Sequence, residues 1–260
     1  MTAPQPLGLL RDGPSGGAWN MAVDEVLLQR AAGGGGACWR FYTWCEPTLS
    51  LGYFQDYATR RQHAASGGCP AVRRLTGGGA ILHDAELTYS LVLPRAHAWA
   101  GRRDRLYQVV HQCLVDAIAE LGVLAHVLQA GEGEDRGPLL CFQRRAPGDV
   151  LLGDAKIAGS AQRRRSGAVL QHGSLLLRRS AAAPELPGLE DMLGRPLAVE
   201  SLADDWLARI QRLLGGNWAD GALSAEEAAA ATALAQQRYG QTGWTERREG
   251  KGQTAVGSRQ

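Results

Sequence analysis

Three strand-like segments, residues 150–152, 156–163 and 168–177, follow one another closely, with Gly153-Asp154 and Ser166-Gly167 supplying the turns between them. Turns that short join antiparallel neighbours, so this stretch predicts a meander within one sheet. Residues 86–93 add a further strand, because Leu87, Tyr89, Leu91 and Leu93 alternate with Thr88, Ser90 and Val92, a pattern that places one face in a core. Residues 39–54 read as two short strands broken at Glu46-Pro47, since proline cannot donate to a central ladder. Helices are expected at 18–32, on Met21, Val23, Val26, Leu27 and Ala31, and at 105–121, where Leu106, Val110, Cys113, Leu114, Ala117 and Leu121 share one stripe and make Cys113 a core residue. Two more are expected at 202–214 and 224–239, the latter opened by Ser224 with Glu227 at capping-box spacing. A glycine-rich acidic loop is expected at 131–138. Strands grouped apart from helices predict an α+β fold, a mixed or antiparallel sheet with flanking helices, rather than a parallel βαβ sheet. One domain over residues 1–245 and a disordered tail over 246–260 are expected.

Composition excludes several classes. The net charge of +2 is the small difference of two large interspersed populations, so no basic field of the kind that binds nucleic acid is evident. The five cysteines, Cys38, Cys45, Cys69, Cys113 and Cys141, form no C-x-x-C pair and no zinc-spaced set with histidine, so neither a disulfide framework nor a metal site is expected. No apolar run has the length of a signal peptide or a membrane span. A soluble, cytoplasmic protein with no membrane partner is the expectation.

Nearly every base is arginine; the only lysines are Lys156 and Lys251. An isolated lysine among arginines suits a task that needs a compact ammonium, although codon bias would leave the same trace. Lys156 opens a stretch of small residues, Ala158, Gly159, Ser160 and Ala161. These leave room either for an alkyl chain or for the close packing of a neighbouring element, and their identities alone do not separate the two. Upstream, Thr76-Gly77-Gly78-Gly79 leads through His83 into the 86–93 strand. Three glycines let the backbone approach a ligand and present N–H groups to an acyl carbonyl or a phosphate.

Four blocks then occur in a telling order: GAWNMAVDEVLL, RFYTWCEPTLSLGYFQ, RRLTGGGAILHD and KIAGSAQRRRSGAVLQHGSLLL. Together they resemble the lipoate-protein ligase and protein octanoyltransferase family, within the biotin/lipoate protein ligase superfamily, over residues 7 to about 245. The resemblance implies a biotin/lipoate protein ligase-like catalytic domain, complete without the additional C-terminal domain of longer ligases, and with an acyl tunnel walled by the glycine loop and the small-residue strand. Lys156 matches the family's invariant lysine at the acyl carbonyl. Arg73, Gly77, Gly78, Gly79 and His83 match its acyl-pocket loop. His172 and Gly173 match a later His-Gly pair with a structural role.

Two chemistries share this family. Related ATP-dependent ligases commonly carry Gly-Arg-Asn-Asp before the lysine, whereas this chain reads Cys141-Phe142-Gln143-Arg144-Arg145-Ala146-Pro147-Gly148-Asp149. That pattern resembles the LipM-type, cysteine-dependent octanoyltransferases, which implies Cys141 as nucleophile; an unplaced cysteine after two leucines would otherwise read as a small buried hydrophobe. The implied partners are octanoyl-acyl carrier protein as donor and a lipoyl domain or the glycine-cleavage H protein as acceptor. No cofactor is expected. The alternatives are an ATP- and Mg-dependent lipoate-protein ligase subunit, an octanoyl amidotransferase between lipoyl domains, or a noncatalytic carrier-binding protein.

Overall fold

The computed structural model describes residues 7–132, 139–216 and 218–249. In chain order the elements are β1 (Leu7–Ser15), α1 (Gly17–Ala32), β2 (Cys38–Trp44), β3 (Thr48–Leu51), β4 (Ala71–Arg73), β5 (Ile81–His83), β6 (Glu86–Leu93) and α2 (Arg103–Ala119). There follow β7 (Ala125–Val127), β8 (Val150–Leu152), β9 (Ala155–Arg165), β10 (Ala168–Leu176), α3 (Leu189–Leu193), α4 (Val199–Leu214), β11 (Trp218–Asp220), α5 (Ala225–Leu234) and α6 (Thr242–Arg247). Most of the expected loop at 131–138, and residues 250–260 of the expected tail, lie outside the described residues.

An eight-stranded sheet runs in the order β11-β1-β2-β6-β10-β9-β8-β7, and a three-stranded sheet runs β4-β3-β5. The β8-β9-β10 meander forms as its short turns require, with positive φ at Gly153, Ser166 and Gly167. The two strands on either side of Pro47 separate: β2 enters the large sheet and β3 the small one. β1, parallel to both β2 and β11, escapes sequence reading because LGLLRDGPS carries too many glycines and a proline to show a period.

β6 departs from the one-faced strand that its alternation predicts: all eight of its residues are buried. Leu87, Tyr89, Leu91 and Leu93 join a cluster with α2, α4 and the stacked rings of Trp39 and Tyr89. Val92 joins a second cluster under α1 and α5, while Thr88 and Ser90 bring hydroxyls to that same, partly polar layer. The alternation marks apolar against polar, yet both faces are covered, because α1 carries Asn20, Asp24 and Glu25 into the interior. The helix expected at 224–239 also differs: α5 ends at Leu234 and continues as a wider π turn, Ala235–Tyr239, in which the N–H of Gly240 reaches the carbonyl of Ala235. Cys113 is only half-buried, at the margin of the first cluster.

Candidate functional site

A single 3-10 turn carries Cys141 (Cys141–Gln143) and is fastened to the glycine loop: the N–H of Cys141 donates to the carbonyl of Ala80 at 2.7 Å. The loop passes so close that a Cβ built on Gly79 would lie 3.3 Å from the Cα of Cys141. Gly78 turns with φ of 89°, which a side chain would resist.

Lys156 arrives from the other side. The register between β8 and β9 shifts after Lys156, so that Leu151 pairs with Lys156 while Val150 pairs with Ala158. This bulge sends Ile157 and Ala158 together into the core and leaves Lys156 and Gly159 facing the cavity. Strict alternation would have turned one of the apolar pair outward. The Nζ of Lys156 lies 2.8 Å from Oδ2 of Asp149, 3.3 Å from the carbonyl oxygen of Cys141 and 3.6 Å from its Sγ. Both members of the ion pair are buried, and Phe142 places its ring 5.2 Å from the ammonium. Asp149 also accepts from the N–H of Ala146 and the hydroxyl of Tyr107. Asp149 is the functional residue that sequence reasoning missed; its only signal was its place between the proline and the lysine in the matched block.

Cys141 and Lys156 open onto a cavity. Of the residues expected at an acyl pocket, Gly78, His83, Gly159, Ser160, Ala161, His172 and Gly173 line it. Small residues matter for a steric reason: a Cβ on Gly173 would lie 2.1 Å from Oγ of Ser160, and one on Gly159 would meet Cε of Lys156 at 2.7 Å. Gly77 and Gly79 belong to the adjoining loop but are not part of the lining. Arg73 points elsewhere, donating to the carbonyls of Gly52, Tyr53, Gln55 and Thr245. Its neighbour Arg74 lines the cavity instead.

Two buried histidines near the lining are held by hydrogen bonds at both ring nitrogens. His172 donates from Nδ1 to Asp24, whose carboxyl burial would raise but which that bond and the Arg40 charge hold below the ordinary carboxylate value. His111 bonds the carbonyl of Gly148 through Nδ1, and its Nε2 accepts from the hydroxyl of Ser160. Burial pushes His111 down to about 4, against the opposing pull of Gly148 and Asp149. At pH above 6.5 the imidazole is neutral whether folded or unfolded; as pH falls, the unfolded chain takes the proton first. Stability is therefore expected to fall between pH 6.5 and 4, by roughly 3 kcal/mol from this group. Urea unfolding at stepped pH should show that slope, and His111→Asn should flatten it; an unchanged slope in the variant would exclude this source. Cys38 and Cys113 are poor nucleophiles, since burial pushes each thiol up to about 11.

A thiol beside a buried ammonium, on a cavity lined in part by Gly78, Gly159, Ser160, Ala161 and Gly173, sets a nucleophile and a cation next to largely apolar space. The chain belongs to the lipoyl protein ligase A/B catalytic domain family, whose profile matches residues 17–206. Among its curated relatives, the octanoyltransferase LipM of Symbiobacterium thermophilum is 34% identical over 92% of this chain and 98% of its own length. That of Moorella thermoacetica is 32% identical, over 92% and 97%. Among solved structures, a lipoic acid-bound protein of T. acidophilum superposes with a TM-score of 0.75 at 20% identity, over 94% of this chain and all of that one. Lipoate-protein ligase A bound with ATP gives 0.71 at 20%, over 94% and 99%. The expected α+β, lipoate ligase-like fold is the one found. No helix among the described residues is long and apolar enough to cross a membrane.

Proposed function

We propose that this protein transfers an octanoyl group from octanoyl-acyl carrier protein to the acceptor lysine of a lipoyl domain, such as the glycine-cleavage H protein, through a thioester on Cys141. The observation that carries the reading is the approach of Lys156 Nζ to within 3.6 Å of Cys141 Sγ at the cavity mouth. The octanoyltransferases at 32% and 34% identity support the acyl group and the reaction class.

In the first step the Cys141 thiolate attacks the thioester carbonyl of the donor. The C–S bond to the carrier's thiol breaks, and that thiol leaves with the proton that Cys141 gave up. In the second step the acceptor's neutral amine attacks the Cys141 thioester; an amide forms, the amine's proton departs, and Cys141 returns to the thiolate. Lys156 acts in both, meeting negative charge on the carbonyl oxygen. Thioester-to-thioester exchange is near thermoneutral and amide formation from a thioester is downhill, so neither step calls for ATP or another cofactor. A free thiol as nucleophile suits a reducing, cytoplasmic setting.

The test is intact-protein mass spectrometry after mixing with octanoyl-acyl carrier protein in the absence of ATP, followed by peptide mapping. An octanoyl adduct on Cys141 that an apo lipoyl domain discharges is the expected result. Transfer that begins only when ATP and a free acid are added would make the protein a ligase.

A further inference from the structure

Arg74 is the most completely coordinated side chain at the cavity, and its partners form a pattern. Its Nε donates to Oγ1 of Thr76, Nη1 to the carbonyl and Oγ of Ser50, and Nη2 to the carbonyls of Gly77 and Gly79 at 2.7 Å each. All five N–H groups are thereby used. Among the described residues no carboxylate lies within ion-pair distance of it, so its charge is balanced only by oxygen dipoles.

Each of the two hydroxyls is itself held from behind. Oγ1 of Thr76 is 2.7 Å from Nε2 of His172, whose Nδ1 is 2.8 Å from Asp24. Oγ of Ser50 is 2.7 Å from Nε2 of His83, whose Nδ1 is 2.6 Å from Glu86. Each Nδ1 faces a carboxylate, which accepts, so the ring proton sits on Nδ1 and in that tautomer Nε2 accepts from the hydroxyl. Two separate relays, hydroxyl to histidine to carboxylate, thus converge on one guanidinium.

We propose that Arg74 is a positioning residue for the chemistry at Cys141, holding the Gly77–Gly79 loop against the nucleophile's backbone, and that the two relays exist to fix its orientation. The inference rests on the reading of Cys141 as nucleophile. The geometry leads from the relays to the site: Nη2 fixes the carbonyl of Gly79, where even an added Cβ would lie 3.3 Å from the Cα of Cys141, and the next carbonyl, that of Ala80, accepts from the N–H of Cys141. Burial lowers Arg74 only to about 10, with the nearby Cys141 acting the other way, so the group remains a cation at neutral pH and adds to the field of Lys156. Lysine cannot replace it, since three donors on one nitrogen cannot reach five acceptors spread around a planar fork.

The test uses the full-length protein and two readouts: single-turnover loading of Cys141 from octanoyl-acyl carrier protein, and alkylation of Cys141 by iodoacetamide as a function of pH. Arg74→Lys is expected to slow loading about 100-fold, mainly in kcat rather than KM, and to move the alkylation profile to higher pH. Ser50→Ala and Thr76→Val each remove one relay and leave the guanidinium; each should lower kcat about 10-fold, and these variants decide the matter if Arg74→Lys does not fold. Loading rates and alkylation profiles equal to those of the unmodified protein, or changes confined to KM or to thermal stability, would overturn the proposal. Alkylation reads the positioning of Cys141 even if the unmodified protein takes no octanoyl group, so a failure of the thioester reading is seen separately.

Discussion

Cys141→Ala is expected to reduce octanoyl transfer by roughly 10⁴-fold or more while leaving the fold intact. The side chain is half-buried and small, and its backbone, not its sulfur, makes the bonds to Ala80 and Arg144. Truncation to alanine should therefore change stability by less than about 1 kcal/mol. Chemistry has no such tolerance. Alanine offers no atom to carry the acyl group, and direct attack by the acceptor amine on the donor would require both large partners at one cavity mouth at once. Cys141→Ser should do little better, because a serine hydroxyl is a far weaker nucleophile than a thiol. The measurement is the rate of octanoyl appearance on an apo lipoyl domain. Turnover by Cys141→Ala at the unmodified rate would remove the covalent mechanism.

Lys156→Met is expected to lower transfer on the order of 10³-fold, because it deletes the donor that meets the developing oxyanion. It should also destabilise the protein by about 3–5 kcal/mol, since Asp149 would be left buried, charged and without its 2.8 Å partner. The two effects separate in Lys156→Met/Asp149→Leu, where both charges are gone: stability should return in large part, activity should not. Denaturant midpoints and transfer rates on the same preparations check this. Recovery of transfer in the double variant would show that Lys156 serves only to neutralise Asp149. Arginine is no substitute, for the stem of Lys156 already runs within 2.7 Å of where a Cβ on Gly159 would stand.

Much of the framework was legible because it depends on local rules. The β8-β9-β10 meander follows from its two-residue turns, α2 from its apolar stripe, and α5 from the Ser224–Glu227 capping box, which forms as expected. Cys141, Lys156 and the glycine loop were found through the resemblance of four ordered blocks, and the structure brings them to one cavity mouth. Arg73 and Arg74 show where that route stops. Adjacent in β4 and the residue just after it, they look interchangeable in sequence, yet one is spent on the carbonyls around Gly52 and the other on the glycine loop. A strand alternates its side chains, and only knowledge of what lies on each face tells which arginine meets the cavity.

The sequence by itself determined the longer helices and the β8-β9-β10 hairpins, the α+β class, and which residue types are available for acyl chemistry, because each depends on neighbours a few positions away. Tertiary structure decided the rest. The bulge at Lys156, the burial of Asp149 beside it, and the convergence of Asp24, His172, Glu86 and His83 on Arg74 join residues as much as 148 positions apart. Such contacts depend on how α1, β6, β9 and β10 pack, and packing is a property of the whole core rather than of any one segment.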